Sequence, residues 1–208
     1  MHARRLFVWL LLLSAFMLSS CIPLDNPLSD PEKAKPDTRL FGAWKAVDKK
    51  ERDQGISLLL IGKSGLKDAP PGIMKLTMTG LDKENQIDPG KSLYFSVTPL
   101  GNKNYINILA DEGIEKASPP AWEKRKIQGY CLFKYSVEAD KLTFWGGDSK
   151  AVEAVIRKGG LKGTIKEGFI SSAKLTGGEE LAKFLAAGGD KLFFPAGDDY
   201  QVEFTRIK

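Results

Sequence analysis

The chain has one histidine and two cysteines among its 208 residues, and where these fall excludes more chemistry than any motif it carries. The histidine is His2, inside an N-terminal stretch that reads as a removable leader, so the mature protein has no imidazole. Nucleophiles activated by histidine, histidine-ligated zinc and imidazole proton shuttles are therefore excluded, because no other unperturbed side chain titrates near neutrality. Charge of one sign is also scarce. Beyond residue 20 there are 29 basic and 26 acidic side chains, interspersed, which leaves no cationic stripe to follow a nucleic-acid backbone. An enzyme would be confined to carboxylate, lysine or tyrosine chemistry. No catalytic group, metal site or cofactor is expected.

One long apolar run is present, the thirteen residues Leu6–Leu18. As a helix it measures about 20 Å, short of the roughly 30 Å hydrocarbon core of a bilayer, so it reads as an export signal and not a span. Arg4 and Arg5 precede it, and Leu18, Ser19, Ser20 and Cys21 close it. This order resembles the bacterial lipoprotein signal peptide, in which a branched apolar residue and two small ones precede the cysteine that becomes residue one. The resemblance implies cleavage before Cys21, a diacylglyceryl thioether on its sulfur, and a lipid-anchored protein facing the periplasm, since two acyl chains anchor stably. In the enterobacterial version of that family, Ile22 instead of aspartate after the cysteine favours the outer membrane. With Cys21 acylated, Cys131 is the sole remaining thiol and no intrachain disulfide is expected. Cys131 alternates in phase with Phe133, Tyr135 and Val137, which reads as a buried structural thiol on one face of a strand.

Residues 21–38 carry prolines at 23, 27, 31 and 36 and few large apolar groups, the composition of an extended tether, with packing of some of it on the domain as the alternative. Residues 39–208 form one domain of ordinary size. Alternation predicts strands at Leu40–Val47, Ile73–Thr79, Leu93–Pro99, Tyr105–Ala110, Tyr130–Val137, Lys141–Trp145 and Tyr200–Ile207, with an apolar strand at Ser57–Ile61. One helix is predicted after Asp148 or Ser149, with Val152, Val155 and Ile156 on its apolar side, stopping at Gly159 and Gly160. Another is predicted to open on a capping box of Thr176 and Glu179 and to end at Gly188 and Gly189. The fold class is mainly β (α+β): an antiparallel twisted sheet or a lipocalin-like barrel, with two short helices in the last third.

Several groupings invite chemistry and fail on inspection. Gly62, Lys63 and Ser64 end like a phosphate loop, but Ser57 stands where its first glycine belongs. Asp82, Glu84 and Asp88 alternate like calcium ligands, yet Ile87 and Leu93 occupy the positions of the required glycine and glutamate. Glu179 with Glu180 suits a helix start, and Asp198 with Asp199 suits a turn. The segment Ser118–Trp122 turns a corner and presents or tucks away one indole.

Gly42, Ala43 and Trp44 open the first domain strand, and here the chain resembles a lipocalin. In that family a Gly-x-Trp begins the barrel and an arginine from near the chain end packs over the Trp. The resemblance implies that Arg206 covers Trp44 through a cation–π contact, and that the barrel interior is available to an apolar ligand. Three functions follow, in this order: a non-catalytic scaffold or protein-binding module of the envelope, a carrier of a small apolar ligand, and a histidine-free hydrolase. The expected partners are the membrane, through the anchor, and an envelope protein or small apolar ligand.

Overall fold

The computed structural model describes residues 21–47, 58–80, 91–111, 122, 125–167, 172–197 and 200–208. Their strands are β1 (Ile22–Leu24), β2 (Gly42–Ala46), β3 (Leu58–Lys63), β4 (Met74–Thr79), β5 (Lys91–Leu100), β6 (Lys103–Asp111), β7 (Ile127–Glu138), β8 (Lys141–Trp145), β9 (Gly163–Lys166), β10 (Ser172–Leu175) and β11 (Gln201–Arg206). The helices are α1 (Ser149–Arg157), α2 (Gly178–Phe184) and α3 (Asp190–Phe193). From β2 to β8 each strand pairs antiparallel with the next, and β11 pairs with both β8 and β2. The result is a closed eight-stranded barrel in up-and-down order, resembling lipocalin-type folds. Closure removes the free sheet edges that would otherwise pair with another chain.

Every strand read from alternation is present, because a period of two places one apolar face inside the barrel. Trp44, Met74, Phe95, Leu142 and Phe204 fill that interior. The middle of the wall is also apolar on its outer face. Tyr94 on β5, Tyr105 and Leu109 on β6, and Leu132 on β7 all point away from the barrel and are all buried. A second layer, made of β1, the β9–β10 hairpin, α1 and α2–α3, covers Tyr105 and Leu132, whereas Tyr94 and Leu109 are covered by Ile73, Leu66, Ala69 and Trp122.

Two sequence expectations are corrected here. Residues 21–38 are not a free tether. β1 pairs antiparallel with β7 and parallel with β10, and Ile22 and Leu24 are fully buried. Farther on, the Leu28 N–H donates to Asn107 Oδ1 at 2.8 Å, and the Ser29 and Thr98 hydroxyls share a bond of 2.6 Å. Both wall residues are buried on the outer face, so the wall supplies fixed polar partners that a solvated linker would not need. Nor is Cys131 a free thiol: it is bonded to Cys21, with Cα atoms 5.4 Å apart. Strand β1 brings Cys21 diagonally across from it, and the reading of an unpaired thiol failed because it assumed that Cys21 was already acylated.

The helices differ in their ends. Asp148 caps α1, accepting from the Lys150 and Ala151 N–H groups at 2.9 and 3.2 Å, and the helix stops before Gly159. The capping box at Thr176 is not formed; Gly177 precedes α2 with no side-chain cap. Instead the backbone of Thr176 and Gly178 bonds to Asn26 and Pro27, and a Cβ on Gly177 would sit 2.1 Å from the Asn26 carbonyl oxygen. Passage of the N-terminal segment thus decides this helix start. At Gly188 (φ 103°) the chain kinks and continues directly into α3 instead of stopping.

If β1 is part of the wall, Leu24→Ala should destabilise the protein by about 2–5 kcal/mol in urea unfolding, as for a buried leucine. A change near zero would return this segment to a tether.

Candidate functional site

At the end of the barrel where β2 begins, a single helical turn, Thr38–Leu40, folds across the opening. Leu40 and Trp44 are fully buried there, and Trp44 Nε1 donates to the Leu40 carbonyl at 2.8 Å. Arg206, at the end of β11, lies over the indole with its guanidinium carbon 4.0 Å from the ring centroid. Its Nη1 and Nη2 donate to the carbonyls of Phe41 and Arg39 at 2.6 and 2.5 Å. The guanidinium thus stacks and donates at once, which a lysine cannot reproduce. Gly42 leaves room for it: its φ is 132°, and a Cβ would stand 2.8 Å from Arg206 Nη1.

Asp37 starts that turn and holds it from below. Its carboxylate accepts from Arg39 Nε and Nη2 at 2.9 and 2.7 Å and from the Tyr135 hydroxyl at 2.9 Å. Burial pushes the Asp37 carboxyl up, but these hydrogen bonds and the Arg39 charge outweigh it and hold it below its ordinary value. Burial, with the Asp37 charge beside it, pushes the Tyr135 phenol well up. The floor is therefore sealed, with Leu40, Trp44, Met74, Phe95 and Leu142 all at 0 % exposure.

Away from the floor the interior is looser. Met78, Leu93, Ile108, Phe144 and Val202 are only partly buried there, as are Phe41 and Val137 beside the floor. All are hydrocarbon or thioether side chains. Such a lining offers dispersion contacts and desolvation to a ligand but no charge to anchor a headgroup.

A separate groove of about 860 Å³ lies outside the floor, between the Pro27–Arg39 segment, the β5–β6 end and the start of α2. It opens to solvent. Its polar groups are largely engaged with one another, as in the Asp37–Tyr135 and Ser29–Thr98 pairs.

Among the described residues the remaining sequence candidates do not converge. Lys63 ends β3 at the surface, and Gly62 meets nothing within 4 Å. Glu179 pairs with Lys183 at 2.7 Å and Glu180 with Lys162 at 3.5 Å, both exposed. Trp122 packs beside Ile73, Tyr94 and Leu109. Asp82, Glu84, Asp88, Asp198, Asp199 and residues 118–121 lie outside the described residues. Among the described residues no group of acids and cysteines is arranged to hold a metal.

One buried ionic cluster escaped sequence reading. Asp190, 2 % exposed, bonds Lys103 Nζ at 2.5 Å and Lys134 Nζ at 3.3 Å, fastening α3 to β6 and β7. Its only sequence signal was an acid beside Leu192 and Phe193.

Comparison with family models, curated proteins and solved structures finds no match.

Removing the floor clamp should be costly. Arg206→Ala loses the stack and strands two carbonyls, and should lower unfolding free energy by about 2–4 kcal/mol, with Arg206→Lys recovering only a minor part. The acid limb has a defined sign. Because the folded Asp37 carboxyl lies below its ordinary 3.8, its contribution is complete above that pH and is lost as pH falls through the lowered value. Asp37→Asn should flatten the stability profile in that acid window; an unchanged profile would remove Asp37 from the clamp.

Proposed function

We propose that this chain is a non-catalytic carrier, a lipocalin-like barrel that takes a small apolar ligand into the looser part of its interior, in the exported compartment of a bacterial envelope. The observation that supports it is an inner core cluster of apolar side chains, of which Met78, Leu93, Ile108, Phe144 and Val202, away from the floor, are only partly buried. A ligand entering there exchanges water for carbon and sulfur on all sides, at about 25 cal/mol per Å² of buried apolar surface. The envelope location draws on the leader-like residues 1–20 and on a disulfide, a bond that persists in oxidising compartments.

The scaffold reading has less support. A protein-binding face would show a contiguous apolar patch of several hundred Å². The exposed large apolar side chains among the described residues are Val47, Leu60, Leu192 and Ile207, none more than about half exposed. A hydrolase would need two carboxylates in one cleft, and Glu179 and Glu180 point to solvent-exposed lysines instead.

The test is titration with a fluorescent fatty acid and with an uncharged naphthylamine dye. Saturable enhancement with micromolar affinity, about −8 kcal/mol, is expected for the native protein. Ile108→Trp and Leu93→Trp, which fill the interior, should each abolish it while leaving the circular dichroism unchanged. Enhancement absent from the native protein, or undiminished in both variants, would overturn the carrier reading in favour of the scaffold.

A further inference from the structure

We infer that Cys21 is a structural disulfide partner and not a lipid attachment point, so that the exported protein leaves the membrane with its N-terminal strand stapled into the barrel wall. A sulfur bonded to Cys131 has no valence left for a diacylglyceryl thioether, so the two fates exclude each other. The packing around Cys21 favours the first. Cys21 is 4 % exposed, and the next residue, Ile22, is fully buried at the start of β1. Ile22 sits so close to Gly147 that a Cβ there would lie 2.2 Å from its Cγ1. Acyl chains on this sulfur would have to leave from beneath packed side chains, with no slack before the first wall residue. Ile22 is likewise unavailable to a sorting factor that reads the residue after the cysteine.

The placement also gives the bond a task. β8 pairs with β7 from Lys134 to Glu138 and goes no farther; β1 takes up the same edge at Tyr130–Leu132. Cys131 stands opposite Ile108 of β6, at the height of the looser interior. The bond therefore closes a seam in the wall where β8 has ended, and it does so by fixing a strand of only three residues. Formation removes two electrons and two protons from the two thiols. The acceptor is the disulfide of a thiol–disulfide oxidoreductase, which leaves as its dithiol after exchange through a mixed disulfide. This inference stands whether or not the interior binds a ligand.

The deciding experiment is peptide mapping by mass spectrometry of the full chain expressed in its native host, with and without reduction. One cross-linked species containing Cys21 and Cys131 is expected, which separates on reduction, with no thiol alkylated before reduction and two after. Detergent phase partition should place the protein in the aqueous phase. An N-terminal peptide carrying a glyceride on Cys21, or a Cys131 that alkylates without reduction, would overturn the inference and restore the membrane anchor. In the same material, Cys131→Ser should lower the melting temperature by about 10 °C, and Cys21→Ser with Cys131→Ser by no more than the single change. An unchanged melting temperature in Cys131→Ser would also overturn it.

Discussion

A barrel wall that is apolar on both faces cannot stand in water by itself, and that constraint organises the rest of this molecule. β5, β6 and β7 send Phe95, Ile106 and Tyr135 inward, while Tyr94, Tyr105, Leu109 and Leu132 point outward. Leaving those outer groups wet would sacrifice about 1.5–3 kcal/mol for each large side chain. The chain resolves this with the segments that do not belong to the barrel. Its N-terminal stretch runs along β7 and then across β6 and β5, and the long excursion between β8 and β11 folds back as two strands and three helices. The inner core and the outer layer therefore share one sheet.

The outer layer is positioned by polar groups buried among apolar ones. Asn107, fully buried, accepts from Leu28 N–H and donates to Thr98 Oγ1 at 3.0 Å, which itself meets Ser29. Because a buried amide is expensive to leave unpaired, that network specifies one path for the segment instead of a family of greasy ones. Asp190 does the same for α3. Burial raises its carboxyl, but the Lys103 and Lys134 ammonium groups outweigh burial and hold it below the ordinary range. Satisfaction is incomplete, since the Tyr105 hydroxyl and Ser96 Oγ are buried without a hydrogen-bond partner. Burial and the Asp190 charge push the Tyr105 phenol far up.

The parts that sequence made legible are those that repeat a local rule. Leu93, Phe95 and Val97 alternate because one face of β5 is inside, and Asp148 caps α1 through its own next two residues. The Trp44 and Arg206 pairing was readable through a family resemblance, although Gly42 shows the physical need behind it. What was illegible depends on distant partners. β1 has the composition of a linker, with Pro23 in its middle, and is a strand because β7 offers it an unpaired edge; β10 meets it only at Leu24, so Pro23 has a strand neighbour on one side. The capping box at Thr176 was a sound local signal that lost to the backbone of Asn26 and Pro27. Asn107 sits in an apolar run, Tyr105–Leu109, where nothing nearby hints that Leu28 will need its oxygen.

These arrangements close one end of the interior and much of its wall. One end is shut by Leu40, Trp44 and the Arg206 guanidinium, all held by bonds to main-chain carbonyls that a ligand cannot displace cheaply. Over β5, β6 and β7 the sides are covered by the outer layer, and the seam beyond β8 is filled by β1. At the opposite end β2 finishes at Ala46, β4 at Thr79 and β6 at Asp111, and the connections that follow them, 48–57, 81–90 and 112–121, lie outside the described residues. Met78, Leu93 and Ile108 lie toward that end and are only partly buried, next to the buried Ala46 and Leu59; at the floor end Leu40 and Trp44 are fully shielded while Phe41 and Val137 are partly buried. Each partly buried inward side chain forfeits contacts that a filled core would make, so the packing of this interior is uneven along its length.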